Sequence, residues 1–306
     1  MPRFASIDLG SNSFLLTVAS FQDGQLILER DECRVVGIVK NLENGEIRQE
    51  ALQRAVEALS AFRREIDGLT LDGISVVATE GLRKPTNGLE IKTELEKALG
   101  RPIDLISGDR EAELSFVGVQ ADFPDANAIK LVFDIGGAST ELAVGNARGI
   151  FSKESLKIGS VLLTERFALN QIADPAEAFD FAMSQIESSR TNLEETSGLV
   201  GVGVAGTVTT LAAIYLGLEI YSREKVHHLK IPTFKIEEIS KLILSKSMEE
   251  RRSIVGLPYN RADILGGGLI IALALATTFQ WNEIICMDTG IRFGPLYEMA
   301  RKLGAY

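Results

Sequence analysis

The chain has 306 residues, 45% of them hydrophobic, with 32 Lys and Arg against 42 Asp and Glu, a formal net charge of −10. That length holds two ordinary domains, and the apolar content supports substantial cores. The acidic balance argues against broad binding to nucleic acid or anionic membranes, and two distant cysteines, Cys33 and Cys286, imply neither a disulfide framework nor a Cys-rich metal site.

In chain order, strand-like runs at 3–7, 14–21 and 25–36 open the N-terminal half. An amphipathic helix follows over about 48–66, where Leu52, Val56, Leu59, Phe62 and Ile66 recur three or four apart. A strand at 74–78, a helix near 88–99, a strand at 103–106 and a helix near 109–121 complete this half. The polar turn formers Asp122, Pro124, Asp125 and Asn127 mark a boundary.

The second half repeats the order. Strands are expected at 129–133, 141–145 and 149–157, then a helix over 175–195 with Pro175 in its first turn. The run 199–204 reads as a strand, and Gly206-Thr207 open an apolar helix to about 217. A looser segment spans 218–260. A long buried helix, a strand at 284–287 and a last helix from about 293 finish the chain. Residues 264–282 carry no charge over nearly a membrane-spanning length, but three glycines, two threonines and a glutamine point to a buried globular helix. The N-terminus lacks a cationic region before a long apolar run, so no signal peptide is expected and the cytoplasm is the expected location.

The order βββαβαβα therefore occurs twice. This predicts two α/β domains, 1–124 and 125–306, around an interdomain cleft, with the helix at 293–306 packing back on the first. At matching places stand two acidic, glycine-rich turns, Asp8-Leu9-Gly10-Ser11-Asn12-Ser13 and Asp134-Ile135-Gly136-Gly137-Ala138-Ser139-Thr140. Glycine lets backbone N–H groups approach a ligand, hydroxyls and amides add short donors, and an Asp at each strand end can hold a cation beside a phosphate. Two hairpin turns with no ligand are the plain alternative, and the duplication favours a split phosphate site. Asp134 and Glu141 flank the second turn and could grip Mg²⁺, unless Glu141 is a solvated strand residue.

Gly206-Thr207 at a helix start offers a third phosphate contact through free N–H groups and the helix dipole. Arg83 follows a strand after a short loop, where ligands bind in α/β sheets and where guanidinium suits phosphate oxygens; a surface arginine is the alternative. Asp109, Glu111 and Glu113 all suit a first helical turn, and nothing local singles one out as a base. No P-loop is present, Gly201–Gly206 make a poor dinucleotide fingerprint, and adjacent His227 and His228 are a weak metal signal. Residues 222–252 are locally basic, with eight Lys and Arg against five acids.

Taken together, Ile7–Phe14, Ala78-Thr79 through Arg83 to Asn87, Ile106-Ser107-Gly108 with Glu111-Ala112, Asp134–Glu141, Gly206-Thr207 and Gly290–Gly294 resemble the exopolyphosphatase/guanosine pentaphosphate phosphatase (Ppx/GppA) family. The resemblance covers nearly the whole chain in the family's order. It implies a ribonuclease H-like, actin/sugar-kinase/Hsp70 type of fold. It also implies release of terminal phosphate from inorganic polyphosphate, or of the 5′ γ-phosphate from pppGpp, with Mg²⁺ as cofactor.

By the same resemblance, Glu111 matches the catalytic glutamate that activates water. Asp134 and Glu141, with Asp8, match the metal-associated acids. Ser11, Asn12, Ser13, Arg83, Gly136, Gly137, Ala138, Ser139, Thr140, Gly206 and Thr207 match phosphate contacts. Ala138 stands where the family usually has a third glycine, and Lys84-Pro85 depart from the usual residues after Arg83. Longer family members add a C-terminal helical domain resembling HD proteins, which the expected elements here do not include. A homodimer is the candidate assembly. The competing expectations are an ATP-dependent sugar or acid kinase of the same superfamily and a weakly catalytic ppGpp or polyphosphate sensor.

Overall fold

The structure, a computed structural model, describes residues 1–190 and 198–306. The chain forms two compact units, one from residues 1–121 and 291–306, the other from 122–290. Both are α/β, each built on one mixed sheet.

The first unit contains β1 (Arg3–Leu9), β2 (Ser13–Gln22), β3 (Gln25–Val35), α1 (Gln49–Asp67), β4 (Gly73–Ala78), α2 (Glu80–Arg83), α3 (Gly88–Leu99), β5 (Asp104–Leu105) and α4 (Gly108–Gln120). Asp23 and Gly24 both take positive φ, 51° and 76°, which joins β2 to β3 by a tight hairpin matched to strand twist. The sheet order is β3-β2-β1-β4-β5. The β1–β4 and β4–β5 pairs are parallel, with Leu9 beside Ala78 and Ala78 beside Leu105. The three carboxyl ends therefore lie in one row, and the loops 10–12, 79–83 and 106–111 leave from the same sheet edge. Helix α1 buries Ala51, Ala55, Ala58, Leu59, Phe62 and Ile66, its 3.6-period face, into the core.

The second unit contains β6 (Lys130–Ile135), β7 (Thr140–Asn146), β8 (Gly149–Leu156), α5 (Ser160–Phe167), α6 (Ala176–Arg190), β9 (Val200–Val204), α7 (Ala205–Leu216), α8 (Arg223–Val226), β10 (Leu229–Pro232), α9 (Thr233–Leu244), α10 (Met248–Arg252), α11 (Leu265–Thr278) and β11 (Glu283–Cys286). Residues 191–195 of the expected 175–195 helix lie outside the described residues. The sheet order is β10-β11-β9-β6-β7-β8. Read from the other end, it repeats the first unit's sheet, β8-β7-β6-β9-β11 for β3-β2-β1-β4-β5, with β10 added at the edge. Helix α11 is buried at all but Leu273 and Thr277. Its 14 residues rise only about 21 Å, and no helix among the described residues is long and apolar enough to cross a membrane.

Helix α12 (Gly294–Lys302) packs against α4, β1 and β4 of the first unit. Phe21 stacks edge-on to Phe4 and Tyr297, at 5.9 and 5.5 Å between ring centroids. Just before it, buried Arg292 pairs with Asp31 of β3 at 3.0 Å.

The segment 218–260 differs from its expected looseness, because it holds α8, β10, α9 and α10. Among the described residues β10 pairs with β11 alone, far downstream, so its partner is invisible in a local window. Helix α9 starts directly after Pro232 and buries Ile236, Ile239 and Ile243, a face too short to stand out beside the apolar run that follows. Helix α10 carries a complete Ser247/Glu250 capping box.

His227 ties two distant segments of the second unit. Its Nε2 lies 2.6 Å from Asp122 Oδ2, and its Nδ1 accepts the Asp288 N–H at 3.0 Å. For the Asp122 carboxyl, burial pushes the pKa up, but the hydrogen bond from the His227 Nε2–H, helped by the nearby Arg223 charge, outweighs burial and holds it below the usual carboxylate range. A depressed carboxylate adds stability above its unfolded pKa and loses it as pH falls through its folded pKa. Thermal unfolding between about pH 5 and pH 3 should therefore show a shallower acid decline of the midpoint in Asp122→Asn than in the wild type. Parallel declines in the two proteins would contradict the assignment.

Candidate functional site

In the first unit, Asp8 is the next-to-last residue of β1 and lies beside Leu15 of β2. The following turn closes by a hydrogen bond from Gly10 N–H to Ser13 O at 3.1 Å. In the second unit, Asp134 is the next-to-last residue of β6, and that turn closes from Gly136 N–H to Ser139 O at 3.0 Å. The two turns share one closing bond at one place in the repeated sheet. They differ across the hairpin. Asp134 lies directly opposite Glu141, where Asp8 faces a leucine. Directly opposed residues of an antiparallel pair present their side chains on the same face.

The α2 helix packs straight onto the first turn. A Cβ placed on Gly81 would lie 2.9 Å from Ser11 Cα and 3.1 Å from Ser11 N, so only glycine allows this approach. Buried Leu82 and the close approach of Gly88 to the Leu82 carbonyl fix the other side of α2. The Asn87 amide donates to Ile47 O at 3.0 Å and accepts from Ile47 N–H at 2.9 Å, which pins the following turn. The Arg83 guanidinium donates from Nε and Nη2 to Glu80 Oε2, at 3.0 and 2.6 Å, and from Nη1 to Ile106 O.

Ile106 precedes Ser107, the N-cap of α4, whose hydroxyl accepts from Arg110 N–H at 3.2 Å. Glu111 sits in the first turn of α4 and is buried. One sheet edge of this unit thus gathers Asp8, the 11–13 turn, Arg83 and Glu111.

In the second unit, α5 docks on the second turn. Gly136 O accepts from Ser160 N–H at 2.8 Å, and Gly137 O accepts from Val161 N–H at 2.9 Å. A Cβ on Gly159 would meet the Gly137 carbonyl at 2.5 Å, so here too glycine permits contact between backbones. Asp134 and Glu141 are 5% and 1% exposed, and Glu141 Oε1 accepts from Ser155 at 2.7 Å. Two buried carboxylates on one face form the hard oxygen set that Mg²⁺ favours. β9 runs parallel to β6 with Val204 beside Asp134, so α7 begins at the same edge. Ala205 takes φ 60°, a strained value for a residue with a Cβ, at the turn into α7.

The structure adds detail to three predicted contacts. The Thr140 hydroxyl donates to Ile158 O at 2.7 Å and the Thr207 hydroxyl to Ile135 O at 3.2 Å, so both hydroxyls brace the local backbone. Gly206 is pressed by the Arg261 guanidinium, which would overlap any Cβ there. Arg261 ends a short helical turn, Tyr259–Arg261, one residue beyond the stretch expected to be loose, and no local pattern singled it out. Glu80 and α5 were likewise not singled out.

The side chains of Asp122, His227 and His228 offer ligand atoms within 4.8 Å of one another. The Asp288 N–H fixes the His227 proton on Nε2, however, aimed at Asp122. A neutral imidazole in that tautomer has no lone pair for a cation on that side. In the basic segment 222–252, Lys230, Lys235 and Lys241 pair with Glu283, Glu238 and Glu237, and Arg251 is buried on the Lys246, Leu169 and Gln171 carbonyls.

The sequence profile of the Ppx/GppA phosphatase family matches residues 18–303. A bifunctional 3-dehydroquinate synthase/phosphatase of Fusobacterium nucleatum is 32% identical, over 96% of this chain and 46% of that protein. A guanosine-5′-triphosphate,3′-diphosphate pyrophosphatase of Vibrio cholerae is 32% identical, over 99% of this chain and 60% of its own length. The chain thus spans about half of the length of these curated relatives. Among solved structures, an exopolyphosphatase-like protein aligns with a TM-score of 0.92 and 26% identity over 99% of this chain and 98% of its own.

The glycine contacts lend themselves to a direct test. Gly81→Ala should lower stability by ~1–3 kcal/mol, because the added methyl meets backbone that cannot step aside. Gly68→Ala, where a Cβ meets nothing within 4 Å, should be neutral or mildly stabilising. Urea midpoints read both; equal midpoints would refute the close-approach argument.

Proposed function

Because the chain belongs to the Ppx/GppA phosphatase family, we propose that it is a phosphohydrolase that releases the terminal phosphate of a polyphosphoryl chain, inorganic polyphosphate or pppGpp. The observation that carries this reading is the buried Asp134–Glu141 pair opposed across the mouth of a Gly–Ser turn whose closing bond recurs at the 10–13 turn. Phosphoryl transfer asks little covalent chemistry of a protein and much positioning and charge stabilisation, which turns, an arginine and paired carboxylates supply.

In this reading the 11–13 and 136–140 turns, Arg83 and the Gly206-Thr207 helix start hold phosphate oxygens. Arg261 adds positive charge beside Gly206. Glu111 takes a proton from the water that attacks the terminal phosphorus, the bond to the bridging oxygen breaks, and orthophosphate leaves. Asp134 and Glu141 would hold Mg²⁺, which neutralises phosphate charge when bound, and Asp8 is the metal-associated acid of the first unit's turn. The names of relatives that act on pppGpp and of exopolyphosphatase-like neighbours support both substrates. Phosphate release measured side by side on polyphosphate and pppGpp tests the proposal and separates them; release from neither would refute it.

Loss of a general base typically lowers rate by about 10²–10⁴-fold. Glu111→Gln should show a fall of that size in kcat with KM little changed, and wild-type turnover by the folded variant would remove Glu111 from the role. For the metal, Asp134→Asn should raise the Mg²⁺ concentration that gives half-maximal rate. An unshifted Mg²⁺ titration would count against the carboxylate pair as its seat.

A further inference from the structure

Arg83 stands on α2, a helix of a single turn. A side chain that long has many rotamers, and so short a helix restricts few of them. Its guanidinium is nevertheless held on two sides. Nε and Nη2 both donate to one oxygen, Glu80 Oε2, while Nη1 donates to Ile106 O. Glu80 and Arg83 side chains are 21% and 27% exposed, so the pair is partly shielded from water. Three of the five N–H groups are engaged, which leaves one on each terminal nitrogen for two oxygens of a phosphoryl group.

We propose that Glu80 is a positioning residue that presents the Arg83 guanidinium to phosphate, and that it does so at zero net charge for the pair. This rests on the reading of Arg83 as a phosphate ligand given above. The reasoning is geometric. With Glu80 in place, the plane of the guanidinium is set by contacts on its Nε/Nη2 edge and on Nη1, and phosphate meets donors already oriented. Without the carboxylate, Arg83 keeps one anchor and regains rotamer freedom. The neutral pair also holds an anion through directed hydrogen bonds rather than a net field, so the contact depends less on salt than a lone arginine would.

The sequence pattern hid this role. At i and i+3 within a four-residue helix, Glu80 and Arg83 look like any surface helix pair. The difference lies in the Ile106 carbonyl, which reaches the guanidinium from the loop that leads into α4.

The test compares Glu80→Ala, Glu80→Gln and Arg83→Ala. The readouts are KM and kcat on the substrate turned over, and orthophosphate binding by calorimetry at two ionic strengths. Glu80→Ala should weaken orthophosphate binding and raise KM about tenfold, with kcat within about twofold. Glu80→Gln keeps an acceptor oxygen but removes the charge, so its KM should stay at or below the wild-type value and its orthophosphate binding should become more salt-sensitive.

If Arg83→Ala weakens binding while Glu80→Ala leaves it unchanged or tightens it, Glu80 does not position Arg83. An Arg83→Ala protein with wild-type KM and binding would instead remove the phosphate-ligand reading, and this proposal with it. Should Glu80→Ala fail to fold, the salt response of Glu80→Gln decides, and a wild-type response would overturn the proposal.

Discussion

In both units an acidic, glycine-containing turn touches the backbone of a following element with no side chain between them. Gly81 lies on Ser11 in one unit and Gly159 on Gly137 in the other. Close-packed backbone leaves few ways to move, so each turn inherits the rigidity of the sheet it leaves and of the helix that presses on it. The placement of the other groups follows. Arg83 can reach Ile106 only because α2 sits flush on the 10–13 turn, and α5 can satisfy its first N–H groups on the Gly136 and Gly137 carbonyls only because Gly159 lets it approach.

The family-pattern residues divide into those that face chemistry and those that hold the scaffold. Gly290–Gly294 belongs to the second kind. Arg292 is buried against Asp31, which also accepts from Thr17 at 3.2 Å, so one carboxylate ties β2, β3 and the segment before α12. Gly294 abuts the Leu114 carbonyl of α4. The hydroxyls of Thr140 and Thr207 also brace the scaffold, since each donates to a main-chain carbonyl. A motif residue at a site edge is thus not by itself a ligand contact; its hydrogen bonds show what it does.

The sheets and turns were legible because their signals are local: apolar runs, alternation and glycine beside aspartate. β1, β2, α1, α3, α7 and the two turns fall within a residue or two of the periodic pattern, and the repeated order exposed the repeated sheet. What the sequence hid was non-local. β10 needs β11, α5 needs the carbonyls of the second turn, and the Arg261 guanidinium meets Gly206 across a wide sequence gap. Glu80 was overlooked for a different reason, since its spacing is ordinary and its meaning comes from the Ile106 carbonyl. Glu111 stayed indistinguishable from Asp109 and Glu113 in the local pattern, because Asp109 and Glu111 share the first turn of α4, with Glu113 just beyond it, and acids there satisfy the helix dipole alike.

The first unit is not contiguous in the chain. It needs residues 291–306, whose helix covers Phe21 and Phe4 and lies along α4, whereas the second unit is a single stretch from 122 to 290. On the ribosome, domains usually mature in the order in which they emerge. Here the order is inverted. The second unit has all its strands before the first unit has its last helix, and until that helix is synthesised the aromatic patch around Phe21 stays open to water. The amino-terminal unit therefore cannot close its core around Phe21 until residues 291–306 have been made.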